Sequence, residues 1–268
     1  MIADYHIHSN FSIDSKELME NYCLRALELN IDEICFSEHI DHGIEDCNNP
    51  GQYQVTNLPK YFKKIKELQQ KYQGKLIIKI GIEFGAQLHN LELFRKDFYN
   101  YDFDFVLLSV HQIDNKELWI NQYQNGKSQA QYNEGYYSYL LELVKSYDEY
   151  NCLAHLDLIR RYDKEGEYHS EQCYKIIKEI LKIVIAKGKG IELNTSSFHY
   201  KLADFMPDLR IWQMYKELGG EIITIGSDSH KAERLADHFE VGFKMLKQIG
   251  FTHYSTFKKG KVTQNLIP

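Results

Sequence analysis

Met1-Ile2-Ala3-Asp4-Tyr5-His6-Ile7-His8 reads as a short strand of alternating apolar residues that delivers two histidines at its end. Residues two apart in a strand face the same side, so His6 and His8 point together. Asp14 follows in the next turn of sequence. Two converging imidazoles with a carboxylate nearby can seat zinc, iron or manganese. A pair of strand histidines satisfied by ordinary hydrogen bonds fits the same stretch, and Asp14 with Glu17 also has the form of a helix N-cap. The rest of the chain decides between these readings.

Working outward, the same arrangement recurs. Leu18, Tyr22, Ala26 and Leu29 predict a helix over 15–29, and Glu33 to Ser37 is a second apolar strand that runs into Glu38-His39. A polar loop over 41–55 precedes a helix over 58–72, with Pro59 in its first turn and Leu58, Phe62, Ile65 and Leu68 on one face. The strand from Lys75 to Ile82 leads into Glu83, a helix spans 88–99, and the strand from Phe105 to Val110 leads into His111. Residues 112–132 are polar and unpatterned, as substrate loops and lids are, and contain Trp119, Tyr123 and Tyr132. Beyond a helix over 133–147, the strand from Cys152 to Ala154 ends at His155, with Asp157 just after it. A helix over 171–186 stops at Gly188 and Gly190, and the strand from Ile191 to Leu193 runs into Asn194-Thr195-Ser196-Ser197. A helix over 209–218 precedes the strand from Glu221 to Ile225, which ends in Gly226-Ser227-Asp228-Ser229-His230. A last helix covers 234–249, and the tail after Phe251 carries no pattern.

Seven short apolar strands alternating with helices define an α/β protein whose parallel sheet is covered on both faces. A doubly wound open sheet and a closed barrel both fit that order. An open sheet concentrates its chemistry at one switch point, whereas a barrel brings every strand's C-terminal end to one mouth. Here nearly every strand ends in His, Glu or Asp, which favours the barrel. The 268 residues suit two small domains or one barrel, and scarce proline and the lack of a Gly/Ser linker favour one domain over 1–268.

With 32 Lys and Arg against 38 Asp and Glu, the net charge of −6 predicts no general affinity for nucleic acid or for acidic membranes. The five cysteines, Cys23, Cys35, Cys47, Cys152 and Cys173, are scattered, as reduced thiols of a cytoplasmic protein are. No leader-like or membrane-spanning apolar run occurs, so a soluble, unexported protein is expected. Nothing in the pattern sets an oligomeric state.

Collected, the strand-end groups are His6, His8, Asp14, His39, Glu83, His111, His155, Asp228 and His230. Each alone reads as a solvated loop residue or a cap. Together they exceed what one tetrahedral metal needs and point to two or three divalent transition metals, with a carboxylate such as Glu83 bridging a pair.

Asp4-Tyr5-His6-Ile7-His8, Ser37-Glu38-His39, Gly81-Ile82-Glu83, Ser109-Val110-His111, Ala154-His155 and Gly226-Ser227-Asp228-Ser229-His230 resemble the polymerase and histidinol phosphatase (PHP) superfamily across nearly the whole chain. Within it, Ala154 to Arg161 and Glu192-Leu193-Asn194-Thr195 resemble the monofunctional histidinol-phosphate phosphatases. The resemblance implies a distorted (β/α)7 barrel with the metal site at the C-terminal ends of its strands. It also implies a trinuclear centre: His6, His8, Glu83 and Asp228 on one metal, Glu83, His111 and His155 on a second, and Asp14, His39 and His230 on a third. Asp14 stands where many relatives carry His, which keeps a ligand but hardens it. Glu38 replaces the usual Asp and is expected to orient an imidazole rather than to bind metal.

The implied reaction is metal-dependent hydrolysis of a small phosphate monoester, L-histidinol phosphate, to L-histidinol and phosphate in histidine biosynthesis. A metal-bridging hydroxide attacks in line, and Asp228 passes a proton to the leaving group, with His42 or a metal-bound water as rival donor. Arg160 is the expected phosphate grip, with His42 and Ser197 as further substrate contacts; a surface ion pair is the alternative for Arg160 and its neighbour Arg161. Another PHP phosphoesterase, acting on a nucleotide or sugar phosphate, would share the metal motifs. A non-catalytic metal-binding module would share them too, although intact ligands at every strand end and the lack of a fused domain argue against it.

Overall fold

The computed structural model describes residues 1–45 and 53–268. In its first part the chain forms β1 (Ala3–Ile7), α1 (Met19–Glu28), β2 (Glu33–Phe36), β3 (His39–Glu45), β4 (Tyr53–Val55), α2 (Leu58–Lys71) and β5 (Ile77–Gly85). There follow α3 (Leu91–Asn100), β6 (Phe105–Ser109), the two-residue strands β7 (Gln112–Ile113) and β8 (Lys116–Glu117), α4 (Gln129–Ser146) and β9 (Cys152–Leu153). The chain ends with α5 (Glu171–Ala186), β10 (Gly190–Asn194), α6 (Leu209–Glu217), β11 (Ile223–Gly226), α7 (Phe239–Ile249), β12 (His253–Lys258) and β13 (Lys261–Leu266).

Seven parallel strands pair in the order β1-β2-β5-β6-β9-β10-β11. Ile7 then bridges Ser229, just past β11, and His8 N–H donates to Ser229 O at 2.8 Å, so the sheet returns on itself as a nearly closed barrel. Strands such as β1, β6, β10 and β11 are buried at every residue, because the barrel interior covers one face and the helices the other. The helices meet them through single apolar stripes, for example Cys173, Ile177, Ile180, Leu181 and Val184 of α5. No helix of the described residues is long and apolar enough to cross a membrane.

The N-terminal end of the barrel is plugged by the β12–β13 hairpin. Phe257 N–H donates to the Tyr5 hydroxyl at 2.6 Å, and the rings of Tyr5 and Phe257 each lie 4.9 Å or 6.3 Å from their neighbours across the plug, Phe105 and each other. The sequence carries no pattern there because β13 is exposed along most of its length, which leaves no alternation to read.

Other differences have similar causes. The predicted 41–55 loop is an antiparallel pair, with Ile40 opposite Val55 and Asp41 opposite Gln54, while β3 also runs parallel to β5 with His39 beside Glu83. Its tip, including Cys47, lies outside the described residues. The predicted loop over 112–132 holds the β7–β8 hairpin and the start of α4, which a Ser128/Gln131 capping box sets ahead of Asn133. α1 begins only at Met19, because Ser15 is drawn aside to donate to His8 O or His230 O, each 3.1 Å away.

Asp4 fastens the closing seam. Its buried carboxylate accepts from Ser227 N–H at 3.0 Å, Ser227 Oγ–H at 2.5 Å and Ala236 N–H at 2.9 Å, tying β1 to the segment after β11. Asp4→Ala strands these donors inside the protein. The expected cost is about 3 kcal/mol of unfolding free energy, measured by urea denaturation; a loss well under about 1 kcal/mol would contradict this role for the seam.

Candidate metal centre

Glu83 sits near the C-terminal end of β5, fully buried, in place of the apolar residue such a strand ordinarily carries. Its Oε2 lies 3.0 Å from His6 Nε2, 3.4 Å from His8 Nε2 and 3.2 Å from His39 Nδ1. Its Oε1 lies 3.1 Å from His111 Nε2 and 3.0 Å from His155 Nε2. Asp228 joins from beyond β11, with Oδ1 3.6 Å from His6 Nε2 and 3.5 Å from His8 Nε2. Asp14 Oδ2 lies 2.9 Å from His230 Nε2 and 3.5 Å from His39 Nε2, so all nine predicted ligands meet in one cluster. The helix-cap alternative for Asp14 fails, because the N-cap of α1 is Leu18.

The ring nitrogens turned away from this cluster are held by groups that set the tautomers. His6 Nδ1 is 2.6 Å from Glu192 Oε1, and His111 Nδ1 is 2.8 Å from Asp41 Oδ1. Because a carboxylate only accepts, each Nδ1 carries a proton, which leaves Nε2 as the nitrogen that can give its lone pair to a metal once its own proton is displaced. His8 is set through a relay: Ser12 Oγ–H donates to Glu38 Oε2 at 2.5 Å, so Ser12 Oγ accepts from His8 Nδ1–H at 3.2 Å. Glu38 therefore orients an imidazole through Ser12, as expected of it.

Three buried imidazole nitrogens, His8 Nε2, His39 Nδ1 and His155 Nδ1, make no hydrogen bond, and the first two face Glu83. The His8 ring stacks against His39 at 4.1 Å and His230 at 4.4 Å. Burial, with the charges of His39 and His230, holds its pKa well below the usual value. A neutral, desolvated imidazole with an unused lone pair facing carboxylates is the donor set of a metal site, and groups of His6/His8/Asp228, His6/Glu83/His155, His39/Glu83/His111 and His8/His39/His230 each have the spacing to hold an ion.

Backbone geometry reflects the same demand. Asp228 has φ 50° and His155 φ 23°, in the left-handed region that side chains seldom adopt. A Cβ on Gly85 would meet Asp41 Oδ1 at 1.7 Å, and one on Gly226 would meet Glu192 Oε1 and His6 Cβ at 2.4 Å. Both glycines thus clear space for groups that support the ligands.

A cavity of about 390 Å³ opens on the cluster, bordered by His39, His111, His155, His230, Asp14 and Asp228 on one side and by Arg161, Tyr200, Glu117 and Trp119 elsewhere. Arg161 Nη2 donates to Asp228 Oδ2 at 2.8 Å and to Ser196 Oγ at 2.7 Å, and its guanidinium lies 4.1 Å from the Tyr200 ring centre. Arg160, the predicted phosphate grip, does not line this cavity. Its guanidinium is buried among Asp157 (2.8 Å), Glu167 (3.0 Å) and Asp204 (2.6 Å), in an internal ion-pair knot. His42 is also elsewhere, with Nε2 2.7 Å from Asp97 Oδ2, and Ser197 is buried outside the cavity lining, while Ser196 Oγ–H donates to Asp228 Oδ2 at 3.2 Å. Of the predicted loop aromatics only Trp119 borders the cavity; Tyr132 is in α4 and donates to Asp163.

The seven-stranded barrel, with an imidazole–carboxylate cage spaced to hold metal at its C-terminal mouth, defines a protein of the (β/α) barrel class. A sequence profile of the PHP domain matches residues 4–196. The chain belongs to the PHP domain family. It is 35% identical over 268 residues to the histidinol-phosphatase of Lactococcus lactis subsp. lactis IL1403, covering 98% of this chain and 96% of that protein. It is 31% identical to a probable histidinol-phosphatase of Clostridium acetobutylicum, covering 91% and 92%. A crystal structure of the Lactococcus lactis histidinol phosphate phosphatase, complexed with zinc, L-histidinol and phosphate, superposes with a TM-score of 0.87 at 32% identity over 98% of each chain.

Without metal, burial would lower the His6 and His111 pKa values, but facing carboxylates raise both well above the usual range; likewise, against burial, Asp14 and Glu83 push His39 up to about 9. These rings bind protons at neutral pH that a metal must displace. Zinc uptake by the metal-free protein should therefore release protons, and its affinity should rise with pH between about 6 and 8. Calorimetry in buffers of different ionisation enthalpy reads both; a pH-independent affinity would contradict the assignment.

Proposed function

We propose that this chain is a cytoplasmic histidinol-phosphatase of histidine biosynthesis, hydrolysing L-histidinol phosphate to L-histidinol and phosphate. The observation that carries the reading is the full-length likeness to an enzyme holding zinc, L-histidinol and phosphate. A cavity that sets a guanidinium beside an imidazole–carboxylate cage supports it. The four described cysteines, free and buried, suit a reducing compartment. Residues 1–268 are read as one catalytic domain, since the C-terminal hairpin shares its hydrogen bonds with Tyr5 of the first strand.

We assign three divalent transition metals, zinc among them, as the ligand sets implied by the resemblance divide: His6, His8, Glu83 and Asp228; Glu83, His111 and His155; Asp14, His39 and His230. Supporting this division, Glu83 turns one oxygen to His6 and His8 and the other to His111 and His155, while one oxygen of Asp14 faces both His39 and His230. Metals so held supply Lewis acidity, lowering the pKa of water and neutralising phosphoryl oxygens.

The protein's own groups do the remainder. Against the upward push of burial, His6 and Arg161 keep the Asp228 carboxyl well below the usual range, so it is ionised and can accept the proton of the attacking water. Asp228 then releases that proton readily to the leaving alkoxide. Arg161, rather than Arg160, is positioned to grip the phosphate, and its buried Nε–H still lacks an acceptor among the described residues.

Steady-state kinetics on L-histidinol phosphate, a nucleoside monophosphate and a sugar phosphate test the reading: L-histidinol phosphate should be preferred, and equal turnover of all three would refute it. Arg161→Met should raise KM for phosphate esters by about 10- to 100-fold. Arg160→Met should leave KM near wild type but lower stability by about 3–5 kcal/mol, because Asp157 is left buried and unpaired. The opposite pattern would restore Arg160 as the phosphate ligand.

A further inference from the structure

Among the described residues, nothing pairs with the outer edge of β13. A tight turn, with Lys259 at φ 49° and Gly260 at φ 70°, joins β12 to β13, so alternate residues of each strand bond across the hairpin and the others turn their N–H and C=O groups outward. On β12 the outward set is visible at Phe257, whose N–H donates to the Tyr5 hydroxyl at 2.6 Å and whose carbonyl oxygen lies 3.2 Å from it. Val262 stands opposite Phe257, so the outward residues of β13 are Val262, Gln264 and Leu266. None of their backbone groups finds a partner among the described residues.

Proteins ordinarily protect such an edge from other chains with a charge, a proline, a bulge or a covering element. Val262-Thr263-Gln264-Asn265-Leu266 has none of these. It contains no charged residue, proline or glycine, its register with β12 runs without a shift, and Val262 and Leu266 are 43% and 70% exposed. Nor is the edge loose. Asp104 accepts Lys259 N–H on Oδ1 at 3.1 Å and Gly260 N–H on its backbone oxygen at 3.0 Å, and Ser255 Oγ accepts from Ile223 N–H at 3.2 Å, which fixes the hairpin to the barrel. An edge already rigid loses little freedom on pairing.

The stretch also complements itself. From either end it reads as an apolar residue, three polar ones and an apolar one, so two copies laid antiparallel about Gln264 place each Val262 opposite the partner's Leu266 and Gln264 opposite the partner's Gln264, with no like charges facing. In that register every outward residue meets an outward residue, which gives about six backbone hydrogen bonds. We propose that the outer edge of β13 is a homodimer interface, at which two copies of this chain pair antiparallel about Gln264 and merge their hairpins into one sheet. The seam lies at the N-terminal end of each barrel and leaves both cavities open at the opposite ends. With one such edge per chain, the assembly closes at the dimer.

Sedimentation velocity of the full chain over about 1 to 200 µM reads the association, and a seam this short should give a reversible dimer with a micromolar Kd. Gln264→Pro removes one outward N–H and no bond within the hairpin, so it should keep the wild-type circular dichroism spectrum yet stay monomeric throughout. Leu266→Lys, which sets a charge against Val262 at both ends of the seam, should weaken the dimer by about 10-fold or more. The register has its own readout. Under oxidation Gln264→Cys should form a disulfide-linked dimer, because residue 264 faces its own copy across the axis, while Thr263→Cys, which faces Asn265, should not. A wild type that stays monomeric over this range, whether free or held by a different protein, would overturn the proposal. So would a dimer that persists in both Gln264→Pro and Leu266→Lys, or linkage of Thr263→Cys as ready as that of Gln264→Cys.

Discussion

One buried carboxylate organises the molecule. Glu83 lies within 3.4 Å of five imidazole nitrogens in the interior of a barrel, where isolated charge is costly. Protons satisfy only part of this arrangement: His6 and His111 are pushed toward the charged form, while burial and the neighbouring charges keep His8 neutral with an unused nitrogen. Divalent cations held by these rings and the carboxylate would satisfy the remainder. The barrel supplies the means, because parallel strands that share a mouth deliver ligands from residues as distant in sequence as His6 and His230.

Around the cage lies a layer that fixes which nitrogen of each ring faces inward. Glu192 acts on His6, Asp41 on His111, and Glu38 through Ser12 on His8. Gly85 and Gly226 leave the volume those carboxylates occupy, and Asp228 accepts a left-handed backbone to reach the cluster. This layer links sequence to chemistry most tightly: a methyl group at either glycine would displace a supporting carboxylate and, through it, a ligand.

The alternation of strands and helices and the residues that meet in the cluster were legible because nearly every strand is a short apolar run ending in His, Glu or Asp, a pattern that survives without any knowledge of contacts. The supporting layer was less so. Glu192 and Asp41 had a signal that went unused, since Glu192 interrupts an apolar strand as Glu83 does and Asp41 shares a strand face with His39. Which arginine meets the cavity had none: Arg160 and Arg161 are adjacent in a short 3-10 turn, and only the placement of Asp157, Glu167 and Asp204 decides that Arg160 turns inward to a structural knot while Arg161 lines the cavity. His42 turns to Asp97 and Ser197 is buried away from the cavity lining, and neither was legible, since a lone loop residue carries no periodicity that fixes where it points.

The account depends above all on Glu83 as a shared ligand. Metal content of protein purified without chelator, compared between wild type and Glu83→Gln, tests this most directly. A neutral amide cannot bridge two cations, so the wild type should carry about three equivalents per chain and the variant should lose about two of them, retaining the one at Asp14, His39 and His230. Equal metal content in a folded Glu83→Gln protein would contradict the central role given to this carboxylate.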